Sequence, residues 1–223
     1  MIPLNETRPC RATFWYRREL FIGAPIVCAV VPLACILAAE WAAVVPKGTE
    51  MGLWFVGFLV LPMLAALPAF FVGLIGLLFR RLRPHAALLA VCSAVFFMSF
   101  VAAVRLGDAV RMRAFARLAE RSKPLVVAIR AYEQKHGRPP DSLRALVPEF
   151  LPDVPATGMR AYPDYKYSVA TNGYEGNPWV LSVFTPSGGI NFDQFMYFPL
   201  TNYPKRGYGG WLERVGDWAY VHE

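Results

Sequence analysis

The chain has 223 residues, is 56% hydrophobic and carries a formal net charge of +7 with only four cysteines. The apolar content is too high for an ordinary soluble domain, and the length limits the chain to one or two domains. Much of the positive charge is arginine beside apolar runs, so topology and lipid contact account for it and no nucleic-acid partner is expected.

In chain order, residues 1–19 form a basic arm with Arg8, Arg11, Arg17 and Arg18, and residues 20–104 hold three apolar runs. The first, 20–45, contains one charge, Glu40, close enough to its end for the carboxylate to reach an interface. It is longer than the apolar core of a signal peptide, so cleavage is not expected. The second, 51–79, has no charge. As a helix it would span roughly 43 Å against a hydrocarbon core of about 30 Å, which predicts a tilt or a kink at Pro62 or Pro68. The third, 85–104, is just long enough to span. Three transmembrane helices follow from these lengths.

Cys28, Cys35 and Cys92 fall within the runs and read as small apolar packing residues; Cys10 lies in the arm. The half of the chain after residue 104 has no cysteine, hence neither a disulfide framework nor a thiolate metal site.

An odd number of spans puts the termini on opposite sides. The positive count ties at seven: Arg8, Arg11, Arg17, Arg18, Arg80, Arg81 and Arg83 against Lys47, Arg105, Arg111, Arg113, Arg117, Arg121 and Lys123. The short loops around the first helix break the tie, since they dominate insertion, and place the N-terminus in the cytoplasm. Trp41 and Trp54 flank the first loop and fit an interfacial aromatic belt.

Residues 105–223 read as an extracytoplasmic domain. A helical pattern continues from Val101, with Leu125, Ile129 and Tyr132 on one face and Gly137 as C-cap. Pro124 should kink this helix or divide it. Arg113, Arg117 and Arg121, four apart, form a stripe that either contacts anionic lipid or is a solvated face balanced by Glu120. Asp141 or Ser142 caps a short helix bearing Leu143, Leu146 and Val147, after Pro139 and Pro140 and before Pro148. Extended segments follow at 165–170, 179–185, 194–200 and 217–222, divided by Gly, Pro and Asn turns. The expected fold is a helical membrane half plus an α+β domain: one long helix on an antiparallel sheet of about four strands.

The order of punctuation in "IRAYEQKHGRPPDSLRALVPEFLPDVP", followed by "YPDYKYSV", resembles the globular domain of the type II secretion major pseudopilin and related type IV pilin-like proteins. The resemblance is clear over about residues 125–170 and loose beyond. It rests on Ile129, Tyr132, Gly137, Pro139, Pro140, Ser142, Leu143, Leu146, Val147 and Pro148. It implies that Ile129 and Tyr132 pack the helix onto the sheet, that Gly137 reverses the chain, and that Leu143, Leu146 and Val147 cover one end of the core. It also implies assembly or binding rather than catalysis. The chain departs from the pattern in having two spans ahead of the third and no processing site or following glutamate at the third. For a calcium-binding C-terminal loop the acidic candidates are only Asp193 and Asp217.

No catalytic constellation emerges. His85, His136 and His222 share no local site, Ser142, Ser168, Ser182 and Ser187 lie on no nucleophile elbow, and "GYGGW" at 207–211 lacks a phosphate-loop lysine. Tyr162, Tyr165, Tyr167, Trp179, Tyr197, Trp211 and Trp218 form either a compact core or an interaction face. The expectation is therefore a bacterial inner-membrane protein presenting a pseudopilin-like domain to the periplasm. Its role would be binding or scaffolding beside a type II secretion or type IV pilus-like system. Expected partners are membrane lipid, other membrane or secretion-system proteins, and further copies of itself, with no cofactor and no metal. A membrane enzyme subunit and a small transporter component are the alternatives.

Overall fold

The structure, a computed structural model, describes residues 11–49, 51–169, 174–186, 192–205 and 208–222, with the backbone alone at 11–18, 53–55 and 174. Arg8, Cys10, Ser187 and Gly207 lie outside the described residues, as do the side chains of Arg11, Arg17, Arg18 and Trp54. The element order is helix α1 (Arg11–Val44), α2 (Met51–Gly76) and α3 (Arg83–His136), then strands β1 (Lys166–Val169), β2 (Trp179–Phe184), β3 (Gln194–Tyr197), β4 (Leu212–Val215) and β5 (Trp218–Val221).

All three helices are long and apolar enough to cross a membrane, by length and composition. The basic arm is partly helical, since α1 already begins at Arg11. Helix α2 runs unbroken through Pro62 and Pro68. It stops at Gly76, before the predicted Phe79, where the amides of Leu77, Leu78 and Phe79 switch to carbonyls three residues back at 3.1–3.2 Å.

Contacts divide the chain into two compact units, Met1–Cys35 with Phe58–Val104, and Ile36–Gly57 with Arg105–Glu223. In the first, α2 and α3 approach through small residues. A Cβ added at Gly73 would lie 2.8 Å from the Ala90 amide, and one at Gly76 2.8 Å from the Ala86 Cβ, so larger residues there would force the helices apart. The hydroxyl of Ser99 donates to the carbonyl of Ala29. Large apolar side chains point outward, among them Leu61 at 67% and Leu78 at 76% exposure. Of the thiols expected in helix packing, Cys28 and Cys92 are half-buried and meet each other between α1 and α3, whereas Cys35 is exposed. A three-helix unit leaves much of each helix's circumference uncovered, and Cys35 falls on it.

The second unit is built on the C-terminal part of α3. Pro124 lies inside this 54-residue helix without ending it. The ring removes the amide that would bond the Glu120 carbonyl, but both residues are exposed, so water can satisfy that oxygen. Just before it, Ser122 Oγ donates to the Leu118 carbonyl at 2.7 Å. Phe115, Leu118, Leu125 and Ile129 are fully buried along one face of the helix, as the 3.6-residue period requires.

The sheet is antiparallel throughout, with five strands in the order β1-β2-β3-β5-β4. Alternate residues Trp179, Leu181 and Val183, Phe195 and Tyr197, and Trp218 and Tyr220 enter the same core as the helix face. On the opposite face Val180, Met196, Phe198 and Val221 form a second cluster with Tyr203 and Leu212 packed against it. The four predicted strands are present, each within a few residues of its expected span. The strand that the sequence did not signal is β4, "LERV", a short edge strand with both charged residues exposed. Such an edge carries no apolar alternation to read, and its charges suit a position with unpaired backbone.

Candidate functional site

The segment from Ile129 to Pro148, with its Gly and Pro punctuation, closes one end of the second unit. Ile129 is fully buried, and the Tyr132 ring lies 4.3 Å from His136 and 5.4 Å from Phe150. Gly137 ends α3 at φ +68°, where its amide bonds the Glu133 carbonyl at 2.8 Å; a left-handed residue at a helix end favours glycine. Pro139 is half-buried and Pro140 buried. Neither candidate cap acts through its side chain: Ser142 precedes the 3-10 turn Leu143–Leu146 without a side-chain cap bond, and Asp141 instead pairs with Arg138 at 2.8 Å. Leu146 is buried and Leu143 packs at the core margin, whereas Val147 and Pro148 are exposed. The core end is covered by Phe150, Leu151 and Val154 as well.

A buried polar network, which sequence reasoning missed, joins the end of α1 to α3 and the sheet. Glu40 is 7% exposed and Arg111 2%. The guanidinium grips the carboxylate with two groups, Nη2 on Oε1 and Nε on Oε2, the latter at 3.1 Å. Its Nη1 donates to the Tyr220 hydroxyl at 3.2 Å, and that hydroxyl donates to Asp193 Oδ2 at 2.8 Å. Glu40 therefore does not reach an interface; it is neutralised in place by a cation 71 residues away. Gly107 gives it room, since a Cβ there would lie 3.0 Å from Glu40 Cγ. The α1 end is held further by its own carbonyls: Ala43 accepts from the Ala161 amide at 3.1 Å and Val45 from Arg160 at 3.2 Å. These bonds satisfy groups that a helix terminus leaves open. The only advance signal was an acidic residue in an apolar run with arginines elsewhere, which does not say which arginine.

His222 extends the network. Its ring stacks on Trp211 at 4.1 Å and meets Tyr220 at 4.0 Å, with Nδ1 4.0 Å from Asp193 and Nε2 4.0 Å from Glu213. Neither carboxylate is at hydrogen-bond distance, and Nε2 has no hydrogen-bond partner among the described residues. Burial, opposed by Asp193, Glu213 and the more distant Asp108 and reinforced by Arg111, holds the imidazole below its ordinary value of 6.5. Burial likewise raises the Tyr220 hydroxyl, with Arg111 pulling the other way. A base whose folded-state pKa is depressed favours the fold above its unfolded value and withdraws that stability as pH falls through it. The melting temperature of the chain should therefore fall as the pH is lowered below about 6.5, and His222→Gln should remove that component. An identical pH profile in the variant would show that His222 does not titrate against the fold.

Of the aromatic set, Tyr162, Trp179, Tyr197 and Trp218 are buried core, Tyr165 and Tyr167 pack at its margin, and Trp211 is 65% exposed. Asp193 is committed to Tyr220, while Asp217 lies exposed in the β4–β5 turn. Among the described residues no group of three His, Cys, Asp or Glu side chains comes together to hold a metal. Arg113, Arg117 and Arg121 line one open cavity with residues from the end of α1, and Glu120 pairs with Lys123 at 2.5 Å rather than with them. No family model, curated protein or solved structure matches the chain.

Proposed function

We propose that the chain is an integral protein of a bacterial-type inner membrane that holds a pseudopilin-like α+β domain on the extracytoplasmic side, where it binds or scaffolds other proteins. The observation that carries this reading is the single helix α3, which starts in an uncharged span and ends as the long helix buried against an antiparallel sheet. That order, span then helix then sheet, is the pilin plan, and the punctuation between Ile129 and Pro148 supports it. The outward leucines of the first unit support insertion, because exposed apolar surface on that scale is a liability in water and suits lipid.

The arrangement favours assembly over polymerisation into a pilus, given two spans ahead of the third and no processing site. A periplasm-active reporter fused after Glu223 should be active and a cytoplasm-dependent one silent. The reverse pattern would overturn the orientation. Cross-linking in intact membranes should recover a secretion- or pilus-system component, and repeated recovery of none would reduce the likeness to fold alone.

A further inference from the structure

We infer that Arg113, Arg117 and Arg121 form a binding site for the phosphate headgroup of an anionic phospholipid, with the lipid's apolar part lying on Trp41, Val44 and Val45. These side chains line one open cavity of about 300 Å³. No acidic residue is among those lining it. Arg113 and Arg117 are exposed and have no hydrogen bond or ion pair with any described residue, so both guanidinium groups are free to bind an anion.

Arg121 is positioned by backbone. Its Nη1 donates to the Thr157 carbonyl, and the next residue, Gly158, has φ +74°. A Cβ at Gly158 would collide with the guanidinium. Glycine is thus required twice, for the left-handed turn and for the close approach of Arg121. The result is a fixed cation beside two free ones at one-turn spacing, a geometry suited to several phosphate oxygens at once.

A lipid phosphate fits better than a free one because half of the site is apolar. Trp41 and Val44 come from the last turns of α1, and Val44 is the final residue of the apolar span Glu19–Val44. Free phosphate would leave that wall uncovered, whereas a phospholipid places its glycerol and upper acyl carbons there. Tryptophan and arginine together are the usual interfacial pair, one for the acyl boundary and one for the headgroup. The inference rests on the membrane placement proposed above.

The test uses the purified full chain in a neutral maltoside detergent, titrated with short-chain phosphatidylglycerol, with matched phosphatidylcholine and with inorganic phosphate, bound lipid being counted by native mass spectrometry. Phosphatidylglycerol should be retained over phosphatidylcholine, and excess inorganic phosphate should not displace it. R113Q/R117Q should bind about thirty-fold more weakly, as each near-surface arginine contributes roughly five-fold. Gly158→Ala, which keeps every charge but displaces Arg121, should weaken binding about five-fold. Arg138→Gln, at a distant exposed pair, should bind like the parent. If the double variant does not fold, the single changes Arg113→Gln and Arg117→Gln carry the test at about five-fold each. No preference for phosphatidylglycerol, or unchanged binding in the arginine variants, overturns the inference; displacement by inorganic phosphate overturns the lipid assignment. The two readings fail separately. Alkaline extraction of the chain from membranes defeats the membrane placement, whereas a chain that stays in the membrane without phosphatidylglycerol preference defeats only the site.

Discussion

Arg111→Met should destabilise the chain by about 3–5 kcal/mol, the cost of leaving a buried carboxylate without its counter-charge. Glu40 and Arg111 are both nearly inaccessible, and the pair is bidentate. Water cannot replace the lost guanidinium, and the Tyr220 hydroxyl retains only its bond to Asp193. Removing both charges is a different experiment. In the double variant Glu40→Met with Arg111→Met no charge is stranded, and apolar side chains of similar length fill the space. Most of the loss should then be recovered, because a buried pair is often close to neutral against a well-packed apolar replacement. Thermal unfolding in one fixed detergent, read as a double-mutant cycle, decides the matter. Melting of the Arg111→Met protein within about 1 kcal/mol of the parent would mean that the pair is hydrated and that the end of α1 is not held by it.

Phe115→Ala should cost about 3–5 kcal/mol, for a different reason. The ring is fully buried on α3 and stacks on Phe195 at 4.8 Å while meeting Tyr220 edge-on at 4.8 Å. Phe195 in turn stacks on Trp218 at 4.9 Å. Truncation removes the side chain's transfer free energy, opens a cavity that rigid aromatic neighbours cannot close, and removes two ring pairs worth about 0.5–1.5 kcal/mol each. The comparison is Phe184→Ala, a change at a 36% exposed strand end, which should cost about 1 kcal/mol or less. Equal losses from the two variants would contradict a core organised around the helix face.

Both variants probe what a linear reading could not reach. The apolar runs were legible because hydrocarbon thickness sets a length that few soluble helices match, and the C-terminal strands because alternating burial leaves a period of two. Gly137 was legible because a helix end in the left-handed region favours glycine. Strand β4 was not, since an exposed edge strand needs no apolar alternation. Of the two outcomes expected at Pro124, division of the helix does not occur, because the carbonyl that loses its amide partner is on the exposed face and water can satisfy it.

The three apolar helices, the helix face of Leu125, Ile129 and Tyr132, and most of the sheet are written in the local order of residues. Each follows from local periodicity, composition or punctuation. Folding alone brings Glu40 to Arg111, links this pair through Tyr220 to Asp193, and gives Arg113, Arg117 and Arg121 a cavity shared with the end of α1. Those are pairings between residues far apart in the chain, and no local pattern records them. They exist because the last turns of α1 fold into the unit that carries the sheet, where a buried charge is tolerable only beside its opposite.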